Sequence, residues 1–420
     1  MVRTHSVMTT RSDCGQISPF PTPHSPTPSF LCYNINMQIT RAIIHLDNFI
    51  GNFRAVRDRI GQNRLICVPV KADAYGHGAL HIARAALDAG AYCVAVATVD
   101  EGAQLRSGGI SAPILLFSQP LFDEIPGIIE NRLIPFVSDA DFADALDRQA
   151  VAAGLRLPVH LKIDSGMGRL GAAVAEAPAL ARHIAGRPGL EYAGTATHLA
   201  CADSTAPDDI AYTRQQLARF GGALAEIRAA GLDPGIVHAA NSGGVLLHPD
   251  SWFDMVRPGI LLYGYKQADD APDSSAPEDT PGAAGHGGIL VRPVMELRTK
   301  VVFIRKVKQG EPLSYGRTWK APRDTCVGVL PAGYADGLPR LASNRWQVCI
   351  NERLYPLVGR ICMDQCLVDL GPDTAVQRWD DAVVFGGPAP NAGVLAETIG
   401  TIPYEICCNI SKRVPRVYEE

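Results

Sequence analysis

The feature that most constrains this fold is a repeat of short apolar runs and amphipathic segments between about Ile39 and Gly264. About eight such runs can be read along it: RLICVPV, AYCVAVAT, APILLF, RLIPFV, PVHLKID, EYAGTAT, GIVHAA and MVRPGILLYG. The segments between them have helical spacing, as in the set Leu217, Phe220, Leu224 and Ile227. About eight βα units predict a TIM barrel, although an open doubly wound sheet would show the same alternation.

The composition and residue pattern of the sequence change on both sides of this repeat. Residues 266–288 are rich in Pro, Gly, Ser and Asp, which is typical of a polar linker or loop. From 289 to 420, alternating apolar and polar residues predict a mostly β-strand domain. Residues 1–36, rich in Ser, Thr and Pro, are expected to form a disordered extension, or to reflect an upstream choice of start codon, before a barrel that spans 37–265. The predicted fold class is α/β, an N-terminal TIM barrel followed by a β domain.

The charge of the chain excludes two classes of partner. The formal net charge is −4 at pH 7, whereas proteins that bind nucleic acid or anionic membranes usually carry a strong basic excess. No apolar run reaches the roughly 18 residues that a membrane span needs. The charge itself says nothing about small-molecule substrates.

The eleven cysteines are odd in number and lie mostly in apolar, strand-like runs. Cys362 and Cys366 are too far from a second cysteine pair to resemble a zinc site, so no metal is expected. Buried free thiols in a reducing cytosol are the simplest interpretation, which predicts a cytoplasmic protein.

Lys71 stands directly after an apolar strand in the motif VPVKADAYGHG, where barrels present active-site groups. Partial desolvation at such a position lowers the pKa of a lysine and frees its amine to form a Schiff base. Tyr75 is expected one helical turn later, on the same side as Lys71, and Gly76 and Gly78 would let the backbone approach a ligand. A solvated loop lysine is the alternative interpretation of Lys71 taken alone.

Other predicted strand ends carry groups of the same chemical kinds. They are Lys162, Asp164 and Arg169 in HLKIDSGMGRLG, His198 in ATHLACAD, Asn241 and Ser242 in HAANSGG, and Arg257 with the Gly259–Ile260 backbone in VRPGILLYG. The last two motifs belong to the seventh and eighth runs, where barrels often bind phosphate through hydroxyl and backbone N–H groups. Each residue also has a structural alternative, such as a core histidine, a Lys–Asp ion pair or a helix-capping arginine. As a set they predict one site at the barrel mouth.

The β domain adds candidates that lie close to glycines. They are Tyr315 in SYGRT, Tyr334 in PAGYADG, and Met363 and Asp364 in GRICMDQ. Ordinary turns are the alternative interpretation for each of these taken alone.

The chain resembles the alanine racemase family from about Met37 to its C-terminus. The resemblance rests on motifs in the family's order: VPVKADAYGHG, KIDSGMGRLG, ANSGG, VRPGILLYG, SYGRTW, PAGYADG, VGRICMDQ and KRVPRVY. Single-domain relatives of the barrel, which also bind pyridoxal phosphate (PLP), lack the β domain. The resemblance implies a PLP-dependent isomerase that interconverts L- and D-alanine and supplies D-alanine for peptidoglycan. It also implies a head-to-tail homodimer with both active sites at the interface.

The resemblance implies a role for each matching residue. Lys71 would bind the cofactor covalently and act as one catalytic base, and Tyr315, from the partner subunit, would be the other. Groups around the cofactor would be Tyr75, Asn241, Ser242, Gly259, Ile260 and Tyr334 near the phosphate, Arg257 facing the pyridine nitrogen, and His198 beside the ring. Substrate-binding and supporting groups would be Arg169, Met363 from the partner, Lys162, Asp164 and Asp364. Lys162 matches a lysine that is carbamylated in some members.

These residue types suit racemisation. A proton must leave one face of the α-carbon and another must arrive on the opposite face, so two bases avoid the need for one to move. The usual pKa of tyrosine is about 10, so nearby positive charge must favour the ionised form of Tyr315. An arginine keeps its proton, so Arg257 would leave the pyridine nitrogen unprotonated and limit side reactions such as transamination.

Lys412 departs from the family's pattern, because some members carry a tyrosine just before RVPR. This departure leaves open a racemase of wider range that also acts on serine or lysine. A non-catalytic protein of PLP homeostasis is a second alternative, against which the β domain and Tyr315 argue. A PLP decarboxylase is a third, but no cysteine-bearing loop in the sequence suits that reaction.

Overall fold

The structure is a computed structural model and describes residues 38–266 and 289–419. The predicted extension at 1–36 lies outside these ranges, and so does the predicted linker at 266–288 apart from Lys266. Strands of the first range are β1 (Arg41–His45), β2 (Leu65–Pro69), β3 (Cys93–Val96), β4 (Ile114–Leu116), β5 (Ile134–Val137), β6 (Leu157–Asp164), β7 (Ala172–Ala173), β8 (Leu190–Ala196), β9 (Ile236–His238) and β10 (Met255–Val256).

The helical segments of the first range alternate with these strands. They are α1 (Leu46–Ile60), α2 (Lys71–Tyr75), α3 (Ala79–Asp88), α4 (Val99–Ser107), α5 (Ile125–Glu130), α6 (Ala140–Ala152), α7 (Ala177–Ala185), α8 (Pro207–Ala229) and α9 (Ser242–Leu247). None of the helices in the two described ranges is both long enough and apolar enough to cross a membrane.

Eight parallel strands form a nearly closed barrel in the order β10-β2-β3-β4-β5-β6-β8-β9. Single hydrogen bonds join the two end strands: Asp254 N–H donates to the Val237 carbonyl at 3.0 Å, and Arg257 N–H donates to the Ala240 carbonyl at 2.8 Å. The strands coincide with the eight apolar runs of the sequence. The predicted TIM barrel is confirmed, and the open doubly wound sheet is excluded.

The apolar runs become barrel strands because both faces of each strand are buried. The inner face packs into a small cluster made of Cys67, Cys93, Ala95, Leu115, Phe136, Ala196 and Met255. On the outer side, the helices bury their apolar faces against the strands. Helix α8 buries Phe220, Leu224 and Ile227, the stripe that its sequence spacing predicts.

The second range is the predicted mostly β domain. Its elements are β11 (Met295–Lys300), β12 (Phe303–Val307), β13 (Pro312–Leu313), β14 (Trp319–Lys320), β15 (Thr325–Leu330), β16 (Gln347–Ile350), β17 (Arg353–Pro356), β18 (Cys366–Gly371), β19 (Asp381–Phe385), α10 (Ala392–Ile399), α11 (Pro403–Cys408) and β20 (Arg416–Glu419). They form a six-stranded sheet in the order β17-β16-β19-β11-β1-β20, a three-stranded sheet β12-β15-β18, and the pair β13-β14.

Strand β1 lies in the sheet of the β domain, not in the barrel. It pairs antiparallel with β11 and parallel with β20, which buries Ala42, Ile43 and Ile44. Residues 41–45 were expected within the barrel segment 37–265, so that boundary is wrong at its start. The apolar pattern of a strand shows its length and buried face but does not show which strands will pair with it.

Candidate active site

A cavity of about 480 Å³ lies where the carboxyl ends of the barrel strands meet. Its walls come from the segments that follow β2, β6, β8, β9 and β10, because parallel strands of a barrel all end on the same face. The sequence-predicted residues that line it are Lys71, Tyr75, Lys162, Arg169, His198, Asn241, Ser242, Arg257 and Gly259. Ile260 directly follows Gly259 and is fully buried behind this wall.

The backbone that follows Lys71 is left-handed. Ala72, Asp73, Ala74 and Tyr75 have φ angles between 52° and 54°, which costs a residue with a side chain about 1–2 kcal/mol. The expectation that an ordinary helical turn separates Lys71 from Tyr75 is therefore wrong, although both side chains do line the same cavity. Strain of this kind persists only where the surrounding structure enforces it.

Contacts with the barrel and with the C-terminal segment hold this left-handed turn in place. The Asp73 carboxylate accepts the N–H of Ala79 at 2.8 Å, which ties the turn to the start of α3. From the other side, Arg416 Nε donates to the Gly76 carbonyl at 2.9 Å. A Cβ at Gly76 would collide with the carbonyl oxygen of Cys407 in α11. The C-terminal segment therefore packs directly on the turn that carries Lys71.

This packing gives a test of how tightly the turn is held. We expect Gly76→Ala to lower the free energy of unfolding by about 3 kcal/mol, because left-handed strain adds to a collision with the Cys407 backbone. Gly400→Ala is the matched control, since Gly400 also ends a helix at a φ of 80° but has nothing within 4 Å of its ideal Cβ position. That control should lose only about 1 kcal/mol. Equal losses of unfolding free energy for the two variants, measured by urea titration, would show that the close approach of Gly76 to the Cys407 backbone does not affect stability.

Ser242 organises backbone N–H groups at the end of β10. Its Oγ accepts the N–H of Gly259 at 2.9 Å and the N–H of Leu261 at 3.2 Å. A Cβ at Gly259 would lie 2.8 Å from Tyr75 Oη, so only glycine leaves the space between that hydroxyl and the backbone open. Hydroxyls and N–H groups after the last strands of a barrel are suited to bind a phosphate dianion.

A tyrosine that the sequence reasoning missed completes this region. Tyr404, at the start of α11, lines the cavity with its ring centroid 5.6 Å from that of Tyr75. Tyr334, which was expected near the phosphate, is 43% exposed and lies outside the cavity of this chain. Tyr404 and not Tyr334 stands beside Tyr75 in this chain, and the assignment of Tyr334 to the phosphate stays a prediction. The sequence around Tyr404, IPYEICC, has no flanking glycine to mark it, and only its closeness to KRVPRVY was a clue.

Arg257 is buried and held rigidly. Its Nη2 donates to the carbonyls of Thr197 at 2.8 Å and Ala239 at 3.1 Å, and its Nη1 donates to His238 Nδ1 at 2.6 Å. Because an arginine only donates, His238 must carry its proton on Nε2, from which it donates to His160 Nδ1 at 2.8 Å. Burial lowers the pKa of Arg257 to about 10, so it remains a cation at neutral pH.

The two histidines behind Arg257 are neutral. Burial, followed by the charge of Arg257, lowers the pKa of His160 to about 3 and holds that of His238 well below its usual value. Neither histidine was singled out from the sequence. His160 could have been, because it stands two residues before Lys162 in β6 and therefore points to the same face of the strand.

Lys162 and Arg169 line the side of the cavity formed by β6. Burial, and then the charges of Arg257 and Arg169, hold the pKa of Lys162 well below its usual value. Asp164 shapes the loop that carries Arg169 by accepting the N–H groups of Gly168 and Arg169, both at 3.1 Å. Burial opposes ionisation of Asp164, but its backbone N–H partners outweigh this and lower its pKa.

The cavity is strongly cationic. Lys71, Lys162, Arg169 and Arg257 all line it, and no Asp or Glu does so within the described ranges. Burial, and then the charge of Arg169, lower the pKa of Lys71, whereas Glu101 and then Cys408 raise it. Burial and then Lys162 likewise hold the pKa of His198 well below its usual value, so His198 is neutral.

The candidates from the β domain lie together on its surface, away from the cavity of their own chain. Tyr315 is 70% exposed, Tyr334 is 43% exposed and Met363 is 53% exposed. Tyr334 N–H donates to the Cys362 carbonyl at 3.1 Å, which joins the PAGYADG and GRICMDQ motifs. Asp364 forms an ion pair with Arg413 at 2.8 Å.

Tyr315 is displayed by a strained turn. Ser314 and Arg317 have φ angles of 61° and 51°, and Ser314 Oγ donates to the Arg360 carbonyl at 2.6 Å. A large aromatic side chain held exposed by such a turn is unusual for a position whose only role is packing.

Two family models match the chain, "Alanine racemase, N-terminal domain" over residues 44–267 and "Alanine racemase, C-terminal domain" over residues 294–418. An alanine racemase of Treponema denticola is 46% identical over 388 residues, which covers 91% of this chain and 98% of that protein.

Solved structures agree with these matches. The alanine racemase of Clostridium difficile 630 is 32% identical, with a TM-score of 0.82 over 91% of this chain and 96% of that one. The alanine racemase of the D-cycloserine producer Streptomyces lavendulae is 35% identical, with a TM-score of 0.81 over 91% of this chain and 97% of that one.

Proposed function

The chain belongs to the alanine racemase family and is an isomerase of that type, and we propose that it interconverts L- and D-alanine with pyridoxal phosphate by a two-base mechanism. The observation that carries this proposal is the cationic cavity, which has a lysine at a strand end and, in the described ranges, no carboxylate on its wall. The cofactor and an amino acid bring a phosphate and a carboxylate, both of which such a cavity favours.

The residues at one end of the cavity fit the phosphate of this cofactor. Ser242, Tyr75 and Tyr404 offer hydroxyl groups, and Ser242 Oγ lies against the backbone N–H of Gly259. The missing side chain at Gly259 leaves the room that a phosphate oxygen would need beside Tyr75 Oη. Asn241 accepts the N–H of Gly244 at 2.9 Å and so fixes the start of α9, on which Ser242 lies.

The opposite end of the cavity fits the cofactor ring. His198 would lie beside the ring and Arg257 would face its nitrogen. When bound, pyridoxal phosphate supplies a conjugated ring that stabilises the negative charge left on the α-carbon after its proton is removed. Arg257 donates a hydrogen bond but keeps its own proton, and the neutral His238 behind it adds no second charge. This arrangement limits how strongly the ring withdraws electrons.

We therefore expect Arg257→Glu to lower alanine racemisation at least tenfold and to increase the share of pyruvate among the products. A carboxylic group at this position would favour protonation of the ring nitrogen and so open the route to transamination. Chiral analysis of alanine together with a coupled pyruvate assay measures both quantities. Arg257→Lys, which keeps the positive charge, is the matched variant and should leave the product ratio unchanged. An unchanged product ratio in Arg257→Glu would contradict this role.

Two bases on opposite faces of the substrate complete the mechanism. Burial and Arg169 lower the pKa of Lys71, which favours the free amine that can take or return the α-proton at Nζ. Tyr315 of the partner subunit would act at its Oη on the other face. Its exposure in the single chain supports this assignment. Met363 of the partner subunit and Arg169 would hold the substrate carboxylate.

A homodimer follows from this assignment. The cavity holds Lys71 but not Tyr315, Tyr334 or Met363, so a second copy would have to bring these residues to it. In a head-to-tail dimer each subunit would supply Lys71 to one site and Tyr315 to the other. The supporting residues Asp164 and Asp364 would then fix the loops on the two sides of the interface.

The range of substrates is the part of this proposal that Lys412 affects. Lys412 is exposed and lies next to Arg413, which pairs with Asp336 at 2.7 Å and with Asp364. Measurement of kcat/KM for L-alanine, L-serine and L-lysine separates a dedicated alanine racemase from a broader one. We expect L-alanine to be preferred at least tenfold. Equal kcat/KM values for the three amino acids would contradict the assignment as a dedicated alanine racemase.

The role in the cell follows from the reaction. The product D-alanine would serve peptidoglycan synthesis, and we place the protein in the cytoplasm. In support of a reducing compartment, nine cysteines in the described ranges are free thiols.

A further inference from the structure

A carboxylate that the reaction does not use lies directly beside the Lys71 turn. Glu101, in the first turn of α4, accepts the N–H of Ala72 on its Oε1 at 2.6 Å. Its Oε2 accepts the N–H groups of Ala97 at 2.7 Å and Thr98 at 3.2 Å. One side chain therefore bridges the end of β3 and the residue that follows Lys71.

Helix capping involves only one of the two carboxylate oxygens of Glu101. Glu101 and Thr98 form a capping box, in which Thr98 Oγ1 accepts the N–H of Glu101 at 3.2 Å and Glu101 accepts the N–H of Thr98 in return. The capping box uses Oε2 of Glu101. The bond from Ala72 to Oε1 adds nothing to the cap of α4, so it needs another reason.

Ala72 is the position at which the left-handed turn begins. The left-handed conformation of its four residues opposes the turn, and hydrogen bonds to an ionised carboxylate are about twice as strong as neutral ones. The Ala72 N–H belongs to the same peptide group as the Lys71 carbonyl. Fixing this N–H therefore fixes the direction in which the Lys71 backbone enters the turn.

We propose that Glu101 is a positioning residue for Lys71, which holds the left-handed turn by its bond to Ala72 and balances the positive charge of Arg169 at the Lys71 amine. The inference rests on the proposed function only in taking Lys71 as the amine that binds the cofactor.

The electrostatic surroundings of Lys71 support this balance. Burial and Arg169 lower the pKa of Lys71, while Glu101 and then Cys408 raise it. Other titratable and charged groups on the cavity wall are Tyr75, Lys162, His198, Arg257 and Tyr404. Glu101 is the carboxylate that raises the pKa of this amine, so its loss leaves the lowering effects of burial and of Arg169 less opposed.

The test separates the charge of Glu101 from its hydrogen bonds. Glu101→Gln removes the charge but keeps an acceptor oxygen and the capping geometry, whereas Glu101→Ala removes both. Thr98→Ala is the matched control, because it weakens the cap of the same helix and leaves the bond to Ala72 in place. All three are compared with the wild-type full-length chain.

The first readout needs no racemase activity. In the full-length chain freed of cofactor, the rate at which an amine reagent labels Lys71 is measured by mass spectrometry as a function of pH. Glu101→Gln should move the midpoint of this curve to lower pH, since the free amine is favoured once the negative charge is gone. Thr98→Ala should leave the midpoint where it is in the wild type.

The second readout is the affinity for pyridoxal phosphate, followed by the absorption of the bound cofactor. Glu101→Ala should weaken binding at least tenfold because the turn loosens, Glu101→Gln should lie between it and the wild type, and Thr98→Ala should match the wild type. The proposal is overturned if Thr98→Ala weakens binding as much as Glu101→Ala, or if Glu101→Gln leaves the labelling midpoint unmoved. A wild-type protein that labels normally but does not racemise alanine would overturn the proposed function and leave this inference standing.

Discussion

Replacing Lys71 by alanine is expected to lower kcat for alanine racemisation by at least about 10⁴-fold. The change would remove one of the two proposed proton-transfer groups and also the amine that would hold the cofactor, and each of these effects is large. Lys71 is a half-buried residue on the cavity wall, so the core packing should survive its truncation. Chiral chromatography of alanine measures the rate, and circular dichroism checks the fold.

A lysine elsewhere on the surface gives the comparison for this variant. Lys306 is exposed on β12, in the β domain, and Lys306→Ala should keep the wild-type kcat. If Lys71→Ala retained more than about one part in a hundred of the wild-type rate, Lys71 could not be both the anchor and a base.

Replacing Tyr315 by phenylalanine is expected to lower kcat by about 10³-fold while leaving the binding of the cofactor intact. Only the hydroxyl that would exchange a proton with the substrate is lost, and one general acid or base contributes about 10²–10⁴-fold. Tyr315 is exposed and outside the cavity of its own chain, so the variant should fold as the wild type does. Tyr92→Phe, which alters another exposed tyrosine at the start of β3, should have no effect on kcat.

Mixing the two inactive variants tests whether Lys71 and Tyr315 act across subunits. In a dimer of one Lys71→Ala and one Tyr315→Phe subunit, one site carries both changes and the other carries neither. Random exchange makes half of the dimers mixed, so activity should return to about a quarter of the wild-type value. A mixture that stays inactive after proven subunit exchange would place both groups in one chain.

The barrel and its mouth were predictable from the sequence because local patterns decide them. Strands such as β2 and β6 are buried on both faces and therefore appear as continuous apolar runs. Once eight such runs alternate with helices, the right-handed connections place every strand end on one face. Lys71 and Arg257, far apart in the chain, could therefore be assigned to one cavity.

The handedness of the turn after Lys71 was not predictable, because contacts distant in sequence decide it. The letters KADAY have good helical propensity, and nothing in them excludes an ordinary helical turn. The bonds from Ala72 to Glu101 and from Arg416 to Gly76 come from α4 and from the last strand. These long-range contacts outweigh the local helical propensity at the candidate active site, where such exceptions are expected.

The residues of the β domain show a second limit of sequence reasoning. Tyr404 was missed because it reaches the cavity from α11, whereas Tyr334 lies on the outer surface of its own chain and its assignment to the phosphate stays a prediction. Both are tyrosines near the C-terminal motifs, and sequence spacing cannot show which of them faces its own barrel. Residues 41–45 were likewise assigned to the barrel because their strand partners lie at the other end of the chain.

The most direct test of the proposed reaction is to incubate the protein, loaded with pyridoxal phosphate, with L-alanine in heavy water. A two-base racemase should produce D-alanine until the two enantiomers are equal, with deuterium at the α-carbon of the D-alanine formed. Chiral separation followed by mass spectrometry gives both quantities in one experiment. Failure to form D-alanine, or formation of D-alanine that keeps its original α-hydrogen throughout, would contradict the two-base mechanism.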